Sequence, residues 1–131
     1  MDFCTVDRDL EIGAFDFVKI DVEGAELEVL LGMEAQIKLF RPYIITEILS
    51  AYSRDNAVRV ERQKGILDFA IRNRYEIYRI IEDSSGRIRT LMPIDDFDPG
   101  FDKDQCNYLI VPSEQKAELA LRFKKFLCSE F

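Results

Sequence analysis

A chain of 131 residues, 47% hydrophobic and 33% charged, has the apolar content to bury one modest core, which argues for a single domain over residues 1–131. Its net charge of −7 repels phosphate backbones, and its basic residues are scattered except at Arg72-Asn73-Arg74 and Lys124-Lys125, so no nucleic-acid partner is expected. With no histidine, the commonest general base and the commonest zinc ligand are both excluded, and any acid or base must be Asp, Glu, Lys, Tyr or Cys.

The N-terminus Met1-Asp2-Phe3-Cys4 carries neither the basic nor the long apolar region of a signal peptide, and no stretch approaches the roughly 18 apolar residues of a membrane span. A soluble cytoplasmic protein with no membrane partner is expected. Cys4, Cys106 and Cys128 are odd in number and far apart, without a C-x-x-C pair, and read as reduced thiols with no metal site. Residues 15–22 (FDFVKIDV) are apolar apart from Asp16, Lys19 and Asp21, the pattern of a parallel strand buried on both faces. A helix is predicted from Ala25, with Leu27, Leu30 and Leu31 at helical spacing, interrupted at Gly32 and continued through Ile37 and Phe40 until Arg41-Pro42 stops it. Residues 43–49 (YIITEIL) read as the next buried strand.

Residues 51–62 form a polar connection without a readable shape, followed by an amphipathic helix marked by Ile66, Leu67, Ala70 and Ile71. Asp83-Ser84-Ser85-Gly86 has turn chemistry between two alternating runs, so residues 75–82 and 87–92 are predicted to form a β-hairpin. The acidic stretch 93–105 reads as a surface loop; its acid spacing and glycine position do not match a calcium-binding EF-hand loop. Residues 106–111 (CNYLIV) read as a strand closed by Pro112, and Ser113 with Glu114 and Glu118 opens a last helix carrying Leu119, Phe123, Phe126 and Leu127. The order indicates an α/β sheet whose later part is no longer strictly parallel.

Ligands of open α/β sheets sit at the carboxyl ends of the strands. That rule selects Asp21, Glu23 and Gly24 after the first strand and Glu47 near the end of the second. If the strands are adjacent, Asp21, Glu23 and Glu47 converge on one crevice, where crowding would raise a carboxyl pKa and suit it to accept a hydroxyl proton, or where the three would hold a divalent cation. A purely structural account stands beside this one: Glu23 and Glu26 complement a helix dipole by about 0.3–1 kcal/mol each, Gly24 permits a tight turn, and Lys19 snorkels to solvent.

The run Asp16-Phe17-Val18-Lys19-Ile20-Asp21-Val22-Glu23-Gly24-Ala25-Glu26, followed by Val29-Leu30 and Gly32, resembles the signature segment of the FkbM methyltransferase family. Thr5-Val6-Asp7 resembles the family's short upstream Thr-Leu-Asp segment, Pro42 through Glu47 its Pro-x-x-x-x-Glu strand, and Asn107-Tyr108-Leu109 its closing strand. The resemblance implies a partial Rossmann-like class I methyltransferase sheet, mixed parallel and antiparallel with flanking helices, in which residues 15–22 correspond to the fourth strand. It also implies methyl transfer from S-adenosylmethionine to a hydroxyl of a sugar or polyketide-like small molecule. On that likeness Asp21, Glu23 and Glu47 are the catalytic candidates, and Asp21 and Gly24 the cofactor-binding ones. The six glycines never form the Gly-x-Gly loop that approaches such a cofactor, so the adenosine half of the site is absent from these residues. The 15–22 strand is then an open sheet edge, and self-association or a missing N-terminal half is expected to cover it. Two other readings remain at this point: a non-catalytic dimerising methyltransferase remnant, and a small acidic metal-binding protein.

Overall fold

The computed structural model describes residues 13–98 and 104–124. Five strands form one sheet in the order β1-β2-β5-β3-β4, where β1 is Phe17–Ile20, β2 Tyr43–Glu47, β3 Tyr75–Glu82, β4 Ile88–Ile94 and β5 Asn107–Pro112. Strand β1 pairs in parallel with β2, whereas β5 runs antiparallel to both β2 and β3. Strands β2 and β3 consequently point the same way, and the carboxyl ends of β1, β2 and β3 share one end of the sheet. The mixed α/β class expected from the element order is therefore observed, as is the hairpin: β3 and β4 pair around a turn in which the Asp83 carboxylate accepts hydrogen bonds from the backbone of Ser85 and Arg87.

Helices α1 (Glu26–Gly32), α2 (Glu34–Phe40) and α3 (Ala57–Arg72) cover one face of the sheet. Their apolar stripes bury Leu30, Ile37, Ile66 and Phe69 against Ile20, Ile44, Ile77 and Ile110. The expected interruption at Gly32 is real, with Met33 ending α1 and starting α2. Gly65 lets α3 approach α1 closely: a Cβ there would lie 2.6 Å from a Leu27 methyl. On the opposite face, a 3-10 turn at Ser113–Gln115 leads into the short helix α4 (Lys116–Arg122), whose Leu119 packs on Tyr78, Ile80, Leu91 and Val111.

Several local expectations are corrected. Residues 15–22 shrink to the four-residue strand β1, and it is not buried on both faces: Phe17 is 54% exposed, Lys19 is exposed, and Ile20 is 3% exposed. An edge strand with helices on one side only leaves its other face to solvent. The shapeless connection after residue 51 ends sooner than expected, because the Asn56 side chain accepts from the Arg59 amide and caps α3 at Ala57. Ile71, assigned to the apolar stripe of α3, is 75% exposed. The acidic loop begins later, since β4 continues to Ile94, and it is anchored by Phe97, which is buried and meets the Tyr108 ring edge-on at 5.2 Å. Phe126, Leu127, Cys4, Cys128 and the Thr5-Val6-Asp7 segment lie outside the described residues.

Two arginines knit the helix ends together. Arg41, in the left-handed region at φ 54°, donates to Glu114 at 2.7 and 2.8 Å and to the carbonyls of Asn73 and Arg74, and lies over the Tyr75 ring. Arg72 and Asn73, the basic cluster of the sequence, both donate to Glu34 at 2.9 Å, fastening the end of α3 to the start of α2. The Arg72 hydrogen bond, aided by that of Asn73, draws the Glu34 carboxyl down to about 2, and Arg41 does the same for Glu114. Both folded values lie below the roughly 4.3 of an unfolded glutamate, so their contribution is complete above about pH 5 and is lost as pH falls towards 2. Thermal melts between about pH 6 and pH 3 should show the melting temperature dropping on acidification. The drop should be shallower for Glu34→Gln.

Candidate functional site

The register of the two parallel strands decides which carboxylates meet. Phe17 lies opposite Tyr43 and Ile20 opposite Thr46, so Asp21 and Glu47 each stand one residue beyond the last paired position. Alternation puts Lys19 and Asp21 on the same sheet face as Tyr43, Ile45 and Glu47, while Ile20, Thr46 and Ile48 turn towards the helices. The Lys19 ammonium stands 3.9 Å from the Asp21 carboxylate, consistent with a shared face, and both are largely exposed. Lys19 thus reaches solvent, as the structural account required.

Glu23 goes elsewhere. The turn between β1 and α1 passes through the left-handed region at Glu23 (φ 47°) and Gly24 (φ 111°), and it is closed by the Gly24 amide donating to the Glu26 carboxylate at 2.7 Å. Glu26 is buried and so serves this turn. Glu23 and Gly24 instead line a cavity of about 250 Å³ between the end of β1, the segment after β2 and the first turns of α3. The structure therefore brings Asp21 and Glu47 side by side and sets Glu23 towards a separate cavity around the same strand ends. Among the described residues no group of three or more Cys, Asp or Glu side chains is placed to hold a metal ion.

The floor of the cavity is apolar, from Ile48, Leu49 and Ile66, and its far wall carries Arg59, Arg62 and Gln63. Sequence reasoning missed these three. A signal was present: Arg59, Gln63, Ile66 and Ala70 fall on one stripe of α3, so polar residues occupy the first turns of an otherwise buried face. Gln63 is buried and donates to the Leu49 carbonyl at 3.0 Å, and Arg62 is held by Glu28 at 2.6 Å. Deeper in the sheet, Arg79 is buried on β3 and donates twice to the Tyr108 hydroxyl, at 2.8 and 3.1 Å, beside a small void that Cys106 also lines. Burial raises the pKa of both the Tyr108 phenol and the Cys106 thiol, which keeps them neutral near pH 7.

The residues present do not fit the whole of an adenosylmethionine-type cofactor. Asp21 and Gly24 offer groups at the end of β1, but no described strand pairs with the outer edge of β1, and no Gly-x-Gly loop exists in the sequence to receive the adenosine half. On the face that α4 only partly covers, a groove of about 760 Å³ runs along the sheet, lined by Phe17, Tyr43, Ile45, Ile88, Leu109 and Leu119.

Replacing Gly24 by alanine isolates the demand of the turn. A Cβ there meets nothing within 4 Å, so the cost comes from backbone conformation alone. Gly24→Ala should destabilise the fold by about 1–3 kcal/mol in urea unfolding.

The model of the FkbM methyltransferase domain matches residues 2–110, which takes in the β1 signature, the Asp21–Glu47 pair and most of β5. No curated protein and no solved structure matches the chain. The matched span covers well over half of the sequence and includes four of the five strands in full, and the sheet beneath it has the mixed topology of a partial methyltransferase-like fold. The chain belongs to the FkbM methyltransferase domain family.

Proposed function

We propose that this chain is the acceptor-side half of an S-adenosylmethionine-dependent O-methyltransferase, acting in the cytoplasm on a hydroxyl of a sugar or polyketide-like small molecule. The observation that carries the reading is the in-register placement of Asp21 beside Glu47 at the carboxyl ends of adjacent parallel strands, with a cavity opening at the same strand ends. In that arrangement Asp21 accepts the proton of the acceptor hydroxyl, Glu47 supports it from the neighbouring strand, and Glu23, turned to the helix side of the same strand ends, holds the part of the acceptor that reaches into the cavity. Gly24 keeps the backbone at the strand end open to the methyl donor.

In this reading a cofactor-holding half supplies the donor-binding part of the site. Its natural seat is the outer edge of β1, which no described strand pairs, together with the groove where Phe17 is exposed. We assign that seat to the cofactor-holding strands of a methyltransferase domain. A second copy of this chain in the same place would instead favour the non-catalytic dimerising remnant.

Calorimetry with S-adenosylmethionine on the 131-residue chain, with its oligomeric state followed by light scattering, separates the two. The expected result is no binding by the isolated chain and binding once the cofactor-holding half is supplied; dimers that never bind the cofactor would support the remnant. In the complete enzyme, Asp21→Asn should lower kcat on the order of 10²–10⁴-fold, the usual worth of a general base, with little change in KM. Wild-type turnover by that variant would remove Asp21 from the mechanism.

A further inference from the structure

The wall of the 250 Å³ cavity holds two cations, and their charges are not equally engaged. Arg62 forms an ion pair with Glu28 at 2.6 Å. Arg59 is half-buried, yet no carboxylate of the described residues pairs with it. Its guanidinium donates one hydrogen bond, from Nη1 to the Ser50 carbonyl at 2.8 Å, and lies 5.3 Å from the centre of the Tyr52 ring. A planar guanidinium carries five N–H donors, and keeping one partly out of water without a counter-charge is costly. The Ser50 bond and the Tyr52 ring also hold it in one orientation, which lowers the entropy lost when a ligand binds.

Across the cavity stand Glu23 and the Gly24 turn, and beneath both walls lie Ile48, Leu49 and Ile66. The site is therefore bipolar, with a carboxylate wall beside the strand ends, an apolar floor, and a cation at the other side. Its volume lies just below the roughly 300–1,000 Å³ of pockets for drug-sized ligands, which suits a single ring or a short hydroxy acid.

We propose that Arg59 is a specificity-determining residue that binds a carboxylate on the acceptor, so that the acceptor is a hydroxylated carboxylic acid of about one sugar ring, held by its acid at Arg59 and presenting its hydroxyls towards Glu23 and the strand ends. This rests on the methyltransferase reading given above. A monoanionic carboxylate matches one guanidinium fork. A phosphate dianion would meet Glu23 and Glu26 in the same cavity and a chain of net charge −7.

The test compares D-glucuronate with D-glucose, two rings that differ in the acid group, by calorimetry on the 131-residue chain. Glucuronate should bind at least about tenfold more tightly than glucose, the equivalent of one charge-assisted contact. Arg59→Gln should erase that preference by bringing glucuronate down to the affinity of glucose, Arg59→Lys should keep part of it because a point charge replaces a fork, and Arg87→Gln, on the exposed turn of the hairpin, should leave it intact. A melting temperature within the wild-type range shows that each variant folds. Equal affinities for the two sugars, absence of glucuronate binding, or a preference that survives Arg59→Gln overturns the proposal. The parent reading fails separately: glucuronate bound through Arg59 in a complete enzyme that transfers no methyl group would leave the acid site standing and remove the methyltransferase activity. Methylation of acidic and neutral acceptors at equal rates, with the rate on the acid unchanged by Arg59→Gln, would do the reverse.

Discussion

Strand β5 is hydrogen-bonded along both edges, to β2 on one side and β3 on the other, and running antiparallel to both it makes them parallel to each other. That insertion is the constraint on which the site depends. Because Ile44, Ile110 and Ile77 sit side by side across three strands and are nearly or fully buried under the helices, a slip of one residue in β5 would turn its apolar set to the wrong face. The register of β2 is thereby held, and with it the position of Glu47. Parallel pairing then carries the same registration to β1 and Asp21.

The two faces of the sheet are treated differently. Three helices cover one face, fastened at their ends by Glu34 and Arg41, and Ile20, Ile44, Ile110 and Ile77 of β1, β2, β5 and β3 point that way. On the other face, α4 packs over β3, β4 and β5 and leaves β1 and β2 open. Among the described residues no strand pairs with the outer edge of β1, so the strand that carries Asp21 at its end is also the open end of the described sheet. Polar groups follow the same division: Arg41, Arg72, Asn73 and Glu34 are engaged in holding helix ends, whereas Arg59 lines a cavity and pairs with no carboxylate of the described residues.

Much of the fold was legible in the chain. The alternation of residues 75–82 and 87–92 around Asp83-Ser84-Ser85-Gly86 leads directly to the hairpin, and the stop at Arg41-Pro42 leads to the end of α2. Local propensity decides such features, because a turn or a helix end is made by residues close in sequence. The start of α3 was missed although Asn56 is a good capping residue, because the polar residues after it obscure the apolar period. Phe97 was assigned to a solvated loop because five acids surround it, and only the Tyr108 ring, eleven positions away in sequence and on another element, gives it a place in the core.

The sequence by itself determined the family, through one contiguous signature around Asp21-Val22-Glu23-Gly24, and it determined the tight turn at Gly24, because both depend on neighbouring residues. Only the tertiary structure decided which candidates share a face. Asp21 and Glu23 are two residues apart in the chain, yet a left-handed turn separates them, while Asp21 and Glu47 are 26 positions apart and a parallel register joins them. The same holds for Arg59, which reaches the cavity because α3 packs on α1 and the sheet. Pairing between strands and packing between layers act across the chain, and no local pattern encodes the distance they close.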